Sequence, residues 1–336
     1  MKKILFVYGP LGIIVSILGI WFLLHILARP PFHPPLPNPT LSLIVEPRDG
    51  MAPVLSLINN ATTTVDLVMY ELTDTDIEKA LVTAKSRGLT VRVLLNKGYY
   101  GAQSASSKAP ANQAAYDYLQ NNGVSVRWTP STFSLTHEKL LIADGDALIM
   151  GFNLTPAYYP TSRDFAVNNS DANDVSALEK VFNADWNGES IAAPEANDLV
   201  WSPHSGDEMV SLIKHAKHSL LIYNEEMGNR AMIEALKNAA SRGVSINIIM
   251  TYQSTWKSAF FKLIASGVHI HARPEKAPLY IHAKMIVVDN NEAFVGSQNF
   301  SDTSLNTNRE LGILITKPSI IASLLATFGS DWTMVQ

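Results

Sequence analysis

Two segments of the chain are near copies of each other, IHAKMIVVDNNEAFVGSQN at residues 281–299 and THEKLLIADGDALIMGFN at residues 136–153. In each copy a His and a Lys stand two residues apart, an Asp follows, and an Asn closes the segment. These residues are His137, Lys139, Asp144 and Asn153 in the first copy, and His282, Lys284, Asp289 and Asn299 in the second. The apolar runs at 140–143 and 285–288 are typical of buried strands, in which residues i and i+2 share a face. Each His is therefore expected to point the same way as its Lys.

This spacing resembles the signature of the phospholipase D superfamily, which is His-x-Lys, four residues, Asp, six residues and Gly-[Ser/Thr]-x-Asn. The second copy matches throughout, with His282, Lys284, Asp289, Gly296, Ser297 and Asn299. The first copy closes with Gly151, Phe152 and Asn153, and is one residue shorter with no hydroxyl. Either Asn153 is displaced by one step, or Phe152 takes the place of the Ser. The alternative, two core histidines on buried strands, would require two such extended spacings to arise by chance.

Length and composition set limits on the fold. The 336 residues suffice for two domains of ordinary size, and 47% of them are apolar, enough for two cores and a membrane segment. The absence of cysteine excludes disulfides and thiolate metal sites. No His-Glu-x-x-His pattern occurs, and the sequence predicts neither a metal site nor any other cofactor.

The N-terminal segment, residues 1–29, is expected to be a transmembrane helix. Residues 4–27 carry no charge and follow Lys2 and Lys3. A helix of that length rises roughly 36 Å, enough to cross a hydrocarbon core of about 30 Å. The length favours an uncleaved single-pass anchor over a cleaved signal peptide, which would leave the protein secreted. With the lysines inside, the remaining chain would lie on the periplasmic or extracellular side of the membrane.

The next segment, residues 30–40, is rich in proline and is predicted to be an extended polyproline II linker. A proline-rich ligand for a partner protein is the alternative for this segment. The remaining chain is predicted to form two domains, residues 41–195 and 196–336, each with one copy of the motif.

Further similarities between the two halves predict an internal duplication. Residues 74–87 and 229–242 carry apolar side chains at helical spacing, and each helix is expected to stop at a Ser-Arg-Gly. A Phe, an Asp and a Trp also recur, as Phe182, Asp185 and Trp186 and as Phe328, Asp331 and Trp332. Alternating strands and helices predict an α/β fold with two duplicated α/β/α layered domains. The resemblance implies that these domains pack about a pseudo-twofold axis and bring both motifs to one cleft.

Two histidines and two lysines could together cleave a phosphodiester without a metal. The reaction requires a positioned nucleophile, an acid for the leaving oxygen, and cations for the charge that develops on the phosphate. Imidazole has a pKa of about 6.5, so one His can attack phosphorus while a protonated partner donates to the leaving alcohol. The residues alone do not decide which His attacks.

The resemblance implies a role for each motif residue. Members of the superfamily pass through a covalent phosphohistidine, usually on the His of the first motif. His137 would then be the nucleophile and His282 the general acid and base. The nonbridging oxygens would be bound by Lys139, Lys284, Asn153 and Asn299, and the motif would be stabilised by Asp144 and Asp289, with Ser297 completing the second copy.

Each motif is followed by an acidic residue at a nearly equal distance. Asp164 comes directly after Arg163, and Glu310 comes directly after Arg309. The resemblance implies that each carboxylate orients a catalytic imidazole by accepting its other N–H group. The alternative is a surface pair between each acid and the neighbouring Arg.

The shared motif does not separate lipid from nucleic-acid substrates. Residues 40–336 carry 23 basic and 30 acidic side chains, a formal charge of −7, which disfavours nonspecific binding to nucleic acid. We therefore expect a monomeric, membrane-anchored phospholipase D-type phosphodiesterase acting on phospholipid headgroups. Transfer to an alcohol, as in a cardiolipin synthase, would be a companion activity. The alternatives are an extracytoplasmic metal-independent endonuclease, with nucleic acid as its partner, and a non-enzymatic phosphodiester-binding module.

Aromatic segments offer further candidate contacts with lipid. Residues 252–263 place large apolar side chains on one helical face beside two lysines, as an interfacial helix or an acyl-chain wall would. This face includes Trp256, Phe260 and Leu263. Packing in the core explains the same pattern. Two tyrosine pairs are predicted in loops that could line the cleft, Tyr99-Tyr100 and Tyr158-Tyr159.

Overall fold

The computed structural model describes residues 40–98, 112–192, 194, 198–274 and 276–334, which belong to one compact unit. The expected transmembrane segment, the Pro-rich linker up to residue 39, the pair Tyr99-Tyr100 and the predicted domain boundary at residue 196 lie outside the described residues. Within the described ranges, no helix has the length and apolar character needed to cross a membrane.

The first half of the described chain alternates strands and helices. The strands are β1 (Leu41–Glu46), β2 (Thr64–Met69), β3 (Thr90–Leu95), β4 (Ser125–Trp128), β5 (Leu140–Ala143), β6 (Asp146–Met150) and β7 (Ser162–Asn169). The helices are α1 (Ala52–Asn60), α2 (Thr75–Ser86), α3 (Gln113–Asn121) and α4 (Ala172–Asn187).

The second half repeats this order with small additions. Its strands are β8 (Leu199–Ser202), β9 (Ser219–Tyr223), β10 (Ser245–Thr251), β11 (His269–Arg273), β12 (Tyr280–Ile281), β13 (Lys284–Val288), β14 (Glu292–Gly296) and β15 (Glu310–Ile315). Its helices are α5 (Gly206–His215), α6 (Arg230–Ser241), α7 (Lys257–Ile264), α8 (Asp302–Asn306) and α9 (Pro318–Thr333), and a 3-10 turn at Ser254–Trp256 precedes α7.

The two sheets have the same topology. The first sheet follows the order β1-β7-β6-β5-β2-β3-β4, and the second follows β8-β15-β14-β13-β9-β10-β11. In both sheets the last three strands of this order are parallel, and the other neighbours are antiparallel. The duplication predicted from the sequence is therefore present at the level of strand order and direction.

Equivalent helices begin and end with the same chemistry in each half. The side chain of Asp74 accepts backbone N–H groups at the start of α2, and that of Asn229 does so at the start of α6. Beyond the two helices, Gly88 and Gly243 adopt φ angles of +94° and +88°, a region that favours glycine. These local signals explain why both helices were predicted from the sequence.

Helices pack against both sheets, and one apolar layer is shared between the halves. Side chains of α1, α2 and α3 form a core with the first sheet. A second core combines side chains of both sheets with α4 and α9, including Phe165, Phe182, Tyr223 and Phe328. Helices α5, α6 and α7 contact β13, β10 and β11. The predicted mixed α/β fold with two duplicated halves is confirmed.

Helix α7 packs its candidate lipid-binding face against the body of the protein. Phe260 is 7% exposed and Leu263 is completely buried. Trp256, in the preceding turn, lies so close to Gly228 that a Cβ there would stand 2.7 Å from the indole ring. Core packing therefore accounts for this apolar face.

The two halves exchange short backbone contacts next to the motif histidines. Strand β12 joins the first sheet, parallel to β7, and pairs Ile281 with Arg163. The equivalent contact in the other direction is a bridge between Thr136 and Arg309. His282 follows Ile281 and Asp164 follows Arg163, so the first contact places His282 beside Asp164. The second contact places His137 beside Glu310 in the same way.

Two buried ion pairs also connect the halves. Arg163 makes a bidentate pair with Asp331 of α9, at 2.7 and 2.9 Å. Arg309 makes the equivalent pair with Asp185 of α4, at 3.0 and 2.7 Å. All four residues are buried. Each Arg therefore reaches the last helix of the other half, and the alternative of a surface pair with its neighbouring acid is wrong.

We expect Asp331→Asn to lower the free energy of unfolding by about 3–5 kcal/mol, because removal of one partner leaves a buried guanidinium without its counter-charge. Asp331 also accepts the hydroxyl of buried Tyr223 at 2.6 Å. The measurement is chemical denaturation followed by tryptophan fluorescence.

The matched control is Glu234→Gln, which removes the exposed pair with Lys237 on α6. This change is expected to alter the free energy of unfolding by less than about 0.5 kcal/mol. Equal effects of the two substitutions would contradict the role assigned to the buried pair.

Candidate active site

A cleft of about 670 Å³ is lined by residues of both halves, and its volume is in the usual range for ligand sites. The residues predicted from the sequence that line it are His137, Asn153, Asp164, His282, Asn299 and Glu310. Part of the wall is aromatic, formed by Tyr70, Phe152, Tyr158 and Tyr280. Tyr158 thus lines the cleft, whereas the hydroxyl of Tyr159 donates to Asp74 at 3.0 Å.

The two imidazoles are each held by a carboxylate from the other half. Nδ1 of His137 lies 2.8 Å from Oε2 of Glu310, and Nδ1 of His282 lies 2.8 Å from Oδ2 of Asp164. A carboxylate at this distance assigns the Nδ1 proton, so Nε2 of the neutral ring is the nitrogen with an available lone pair. Because both rings line the cleft, each can exchange a proton or form a bond with a substrate bound there.

The motif lysines are buried at the same cleft. Lys139 is 0% and Lys284 is 1% exposed. The ammonium of Lys139 donates to the backbone carbonyl of His137 and lies 5.1 Å from the ring centre of Tyr70. Burial lowers the pKa of Lys139 to about 7. An anion bound beside this amine would favour its protonated form.

Burial also controls the charge of His137. It lowers the pKa of the imidazole to about 4, even though the neighbouring Glu310 acts in the opposite direction. Burial by itself would raise the pKa of Glu310, but His137 beside it holds that pKa below its usual value. At neutral pH the site therefore contains a neutral imidazole next to an ionised carboxylate.

The strand register places Asn153 and Asn299 at equivalent positions. Met150 pairs with Lys139, and Gly296 pairs with Lys284, so Met150 and Gly296 are equivalent. The residue that the first copy lacks is therefore missing from the turn between β5 and β6. Gly151 then takes the place of Ser297, because their N–H groups bond to Phe165 and Leu311, which are equivalent. The displacement of Asn153 and the exchange of Phe152 for Ser, both considered from the sequence, do not occur.

The remaining motif residues stabilise the hairpins. Asp144 accepts the backbone N–H groups of residues 62–64 at 2.5–3.0 Å, and Asp289 accepts those of residues 217–219 at 2.8–2.9 Å. The hydroxyl of Ser297 bonds to both backbone polar groups of Leu311, at 3.1 and 3.2 Å. These contacts fix the ends and edges of the motif strands, and Asp144, Asp289 and Ser297 are not among the residues that line the cleft.

Glu225 is a cleft residue that the sequence did not predict. It accepts the ammonium of Lys284 at 3.1 Å and the hydroxyl of Tyr280 at 2.6 Å, and it lies 3.6 Å from Nε2 of His282. Burial by itself would raise the pKa of Glu225, but Lys284 and His282 hold it below its usual range. In the sequence, Glu225 is marked only by its position just after β9. That position is recognised as part of the site only when the two halves are aligned.

Comparison with known families gives an independent assignment. The family model described as "Cardiolipin synthase, PLD-like domain" matches residues 54–186 and 209–332, which together exceed half of the chain. The protein therefore belongs to this family of phospholipase D-like domains. The two matched segments correspond to the two structural halves, each of which contributes one motif His to the lining of the cleft.

Individual relatives agree with this assignment. The chain is 24% identical to a cardiolipin synthase of Listeria monocytogenes over an alignment 341 positions long, gaps included, which covers 87% of this chain and 68% of the relative. Among solved structures, polyphosphate kinase of Porphyromonas gingivalis has a TM-score of 0.68 at 15% identity, covering 91% of this chain and 52% of its own. Phosphatidylserine synthase of Haemophilus influenzae has a TM-score of 0.67 at 13% identity, covering 89% and 86%. These two structures show likeness of fold.

We expect His137 to remain neutral on acidification until the pH approaches about 4. The pKa of this imidazole is 6.5 in the unfolded chain and about 4 in the folded protein. Between these two pH values the unfolded chain binds more protons, so the contribution of His137 to stability falls as the pH falls. Titration of ¹⁵N-histidine-labelled protein by NMR, with His137→Gln to assign the resonance, measures the pKa directly. A midpoint close to 6.5 would contradict the burial argument.

Proposed function

We propose that the protein transfers the phosphatidyl group of a phospholipid to water or to an alcohol, through a phosphohistidine on His137. The two imidazoles in one cleft, each bound through Nδ1 to a carboxylate of the other half, carry this proposal. Because one chain supplies both rings, the catalytic unit is a monomer. The halves would be related by the pseudo-twofold axis that their duplication implies.

In the first step, Nε2 of neutral His137 attacks phosphorus, and the bond from phosphorus to the headgroup oxygen breaks. His282, protonated on both nitrogens and held by Asp164, donates its Nε2 proton to that oxygen, so the headgroup leaves as an alcohol. The pKa of His137, about 4, keeps its lone pair available at neutral pH. Asp164 holds the ring of His282 through Nδ1 while Nε2 loses and regains its proton.

In the second step, His282 accepts a proton from water or from an acceptor alcohol. The resulting oxygen nucleophile attacks phosphorus, and the bond from phosphorus to Nε2 of His137 breaks. With water the product is phosphatidic acid, and with an alcohol it is a new phosphodiester. The proton accepted in this step leaves His282 protonated on both nitrogens again, and the released His137 is neutral, so both imidazoles regain their initial states.

Cations and amides would stabilise the charge that develops on the phosphate. The ammonium group of Lys139 now donates to the carbonyl of His137, and that of Lys284 donates to Glu225. When substrate binds, both would donate to the nonbridging oxygens instead. Asn153 and Asn299 line the cleft at equivalent positions and would donate amide N–H groups. Burial strengthens these interactions because water competes less for the same donors.

A phospholipid is the substrate that the comparisons and the charges favour. The curated relative named above is a cardiolipin synthase, and its name places a phospholipid among its products. Carboxylates line much of the cleft, including Glu71, Glu225 and Glu226. Nucleic acid requires a basic groove that follows a long backbone, so this acidic cleft disfavours an endonuclease.

We further propose that residues 1–29 anchor the protein in a membrane, with the rest of the chain on the periplasmic or extracellular side. The uncharged run at 4–27 supports this proposal. The protein is expected to stay in the membrane pellet after extraction with alkaline carbonate, and a protease added outside intact cells is expected to degrade it. Release by carbonate would contradict the anchor, and protection from the protease would contradict the orientation.

Replacement of either catalytic imidazole is expected to reduce turnover by at least about 10²-fold, because each acts directly in bond making or proton transfer. The assay supplies purified full-length protein with labelled phosphatidylcholine, phosphatidylglycerol and single-stranded DNA, with EDTA present. His137→Ala and His282→Ala are compared with the native chain.

The control is His269→Ala, which removes an exposed imidazole on β11 bonded to Asn247. Its activity is expected to match that of the native protein. Nicking of DNA without turnover of lipid would support the endonuclease. Full activity of His282→Ala on lipid would contradict the two-histidine mechanism.

A further inference from the structure

The two halves differ at one pair of equivalent cleft positions. Leu72 pairs with Leu154 just after β2, and Met227 pairs with Phe300 just after β9. Counting back two residues from these bridges gives Tyr70 in the first half and Glu225 in the second. A neutral aromatic residue in one half therefore corresponds to a carboxylate in the other.

Each of these residues contacts the His and Lys of its own half. The ring of Tyr70 lies edge-on to that of His137, with 4.7 Å between centroids, and lies near the ammonium of Lys139. Glu225 instead contacts Lys284 and lies 3.6 Å from Nε2 of His282. The position next to His282 therefore carries a carboxylate, whereas the equivalent position next to His137 carries an aromatic ring.

A carboxylate at this position is unfavourable for an ordinary anionic substrate. A phosphodiester that draws Lys284 to its nonbridging oxygens removes the cation that now neutralises Glu225. Two negative groups would then face each other in a partly buried site, where their repulsion is weakly screened. A substrate that brings its own positive charge to Glu225 avoids this repulsion.

We propose that Glu225 and Tyr280 form a subsite for the ammonium group of an amino alcohol esterified to the phosphate. This inference rests on the proposed function, because it names the headgroup that the same cleft accepts. Nε2 of His282 is the atom that gives a proton to the departing headgroup oxygen. An ammonium group two carbons from that oxygen lies within reach of the carboxylate beside Nε2.

The surrounding residues favour a cation over a neutral polyol. Tyr280 donates its hydroxyl to Glu225. Tyr280 and Tyr158 both line the cleft, and aromatic rings attract ammonium groups. Glycerol hydroxyls could donate to Glu225 but would leave its charge without compensation. A zwitterionic headgroup places its phosphate at the lysines and its ammonium at the carboxylate, so both charges are neutralised.

The test measures the consumption of two donors by the full-length protein in mixed micelles with equal amounts of phosphatidylethanolamine and phosphatidylglycerol. Mass spectrometry of each lipid and its product follows hydrolysis and transfer alike. The native protein is expected to prefer phosphatidylethanolamine at least tenfold in kcat/KM. Glu225→Gln is expected to lower the ratio of kcat/KM for phosphatidylethanolamine to kcat/KM for phosphatidylglycerol at least fivefold, and the ratio cancels any effect on turnover that the two lipids share. Glu234→Gln, an exposed change on α6, is the matched control and is expected to keep the preference.

The outcomes separate this inference from the proposed function. Equal use of both lipids by the native protein, or a preference for phosphatidylglycerol, would overturn the ammonium subsite and leave lipid turnover established. Equal loss of both activities in Glu225→Gln would also overturn it, because the carboxylate would then act on His282 or Lys284 alone. Consumption of neither lipid by the native protein would overturn both proposals. The native preference tests the inference even if Glu225→Gln does not fold.

Discussion

Two hydrogen bonds between the halves determine the arrangement of the cleft, His137 to Glu310 and His282 to Asp164. Each bond fixes one imidazole nitrogen and directs the other toward a substrate. The carboxylates reach these positions because the backbone next to each His pairs with the strand of the other half at Arg163 or Arg309. Neither half has a correctly held imidazole without the other, so association of the halves and assembly of the site are the same event.

Burial of charged side chains is the main unfavourable term in this arrangement. The groups that contact these charges determine how the site responds to a substrate. Lys139 and Lys284 are almost completely buried, and an ammonium group in such a place needs compensation. A backbone carbonyl accepts from Lys139, and Glu225 accepts from Lys284. Burial lowers the pKa of Lys139 to about 7 and that of His137 to about 4, which shows that positive charge is disfavoured there before an anion binds. A phosphate bound there would supply the missing negative charge.

Duplication produced a symmetric framework that carries asymmetric chemistry. The sheets share their strand order, and Asn153 and Asn299 occupy equivalent positions although one hairpin turn is a residue shorter. The side chains just after β2 and β9 differ, because Tyr70 contacts His137 whereas Glu225 contacts His282 and Lys284. Two imidazoles with the same backbone setting thereby acquire different electrostatic surroundings, which suits the different roles proposed for them.

The sequence by itself determined the duplicated α/β elements and the motif residues, because strand alternation, helix caps such as Asp74 and a fixed His-to-Lys spacing are local properties. It also indicated that Asp164 and Glu310 belong to the site. Only the tertiary structure decided which carboxylate holds which imidazole, and it brought Glu225 to the cleft. The physical reason is that the two imidazole–carboxylate contacts join residues 118 and 173 positions apart, through pairing between strands of different halves. Glu225 reaches Lys284 across 59 positions, through the pairing of β9 with β13. No local pattern encodes such pairing.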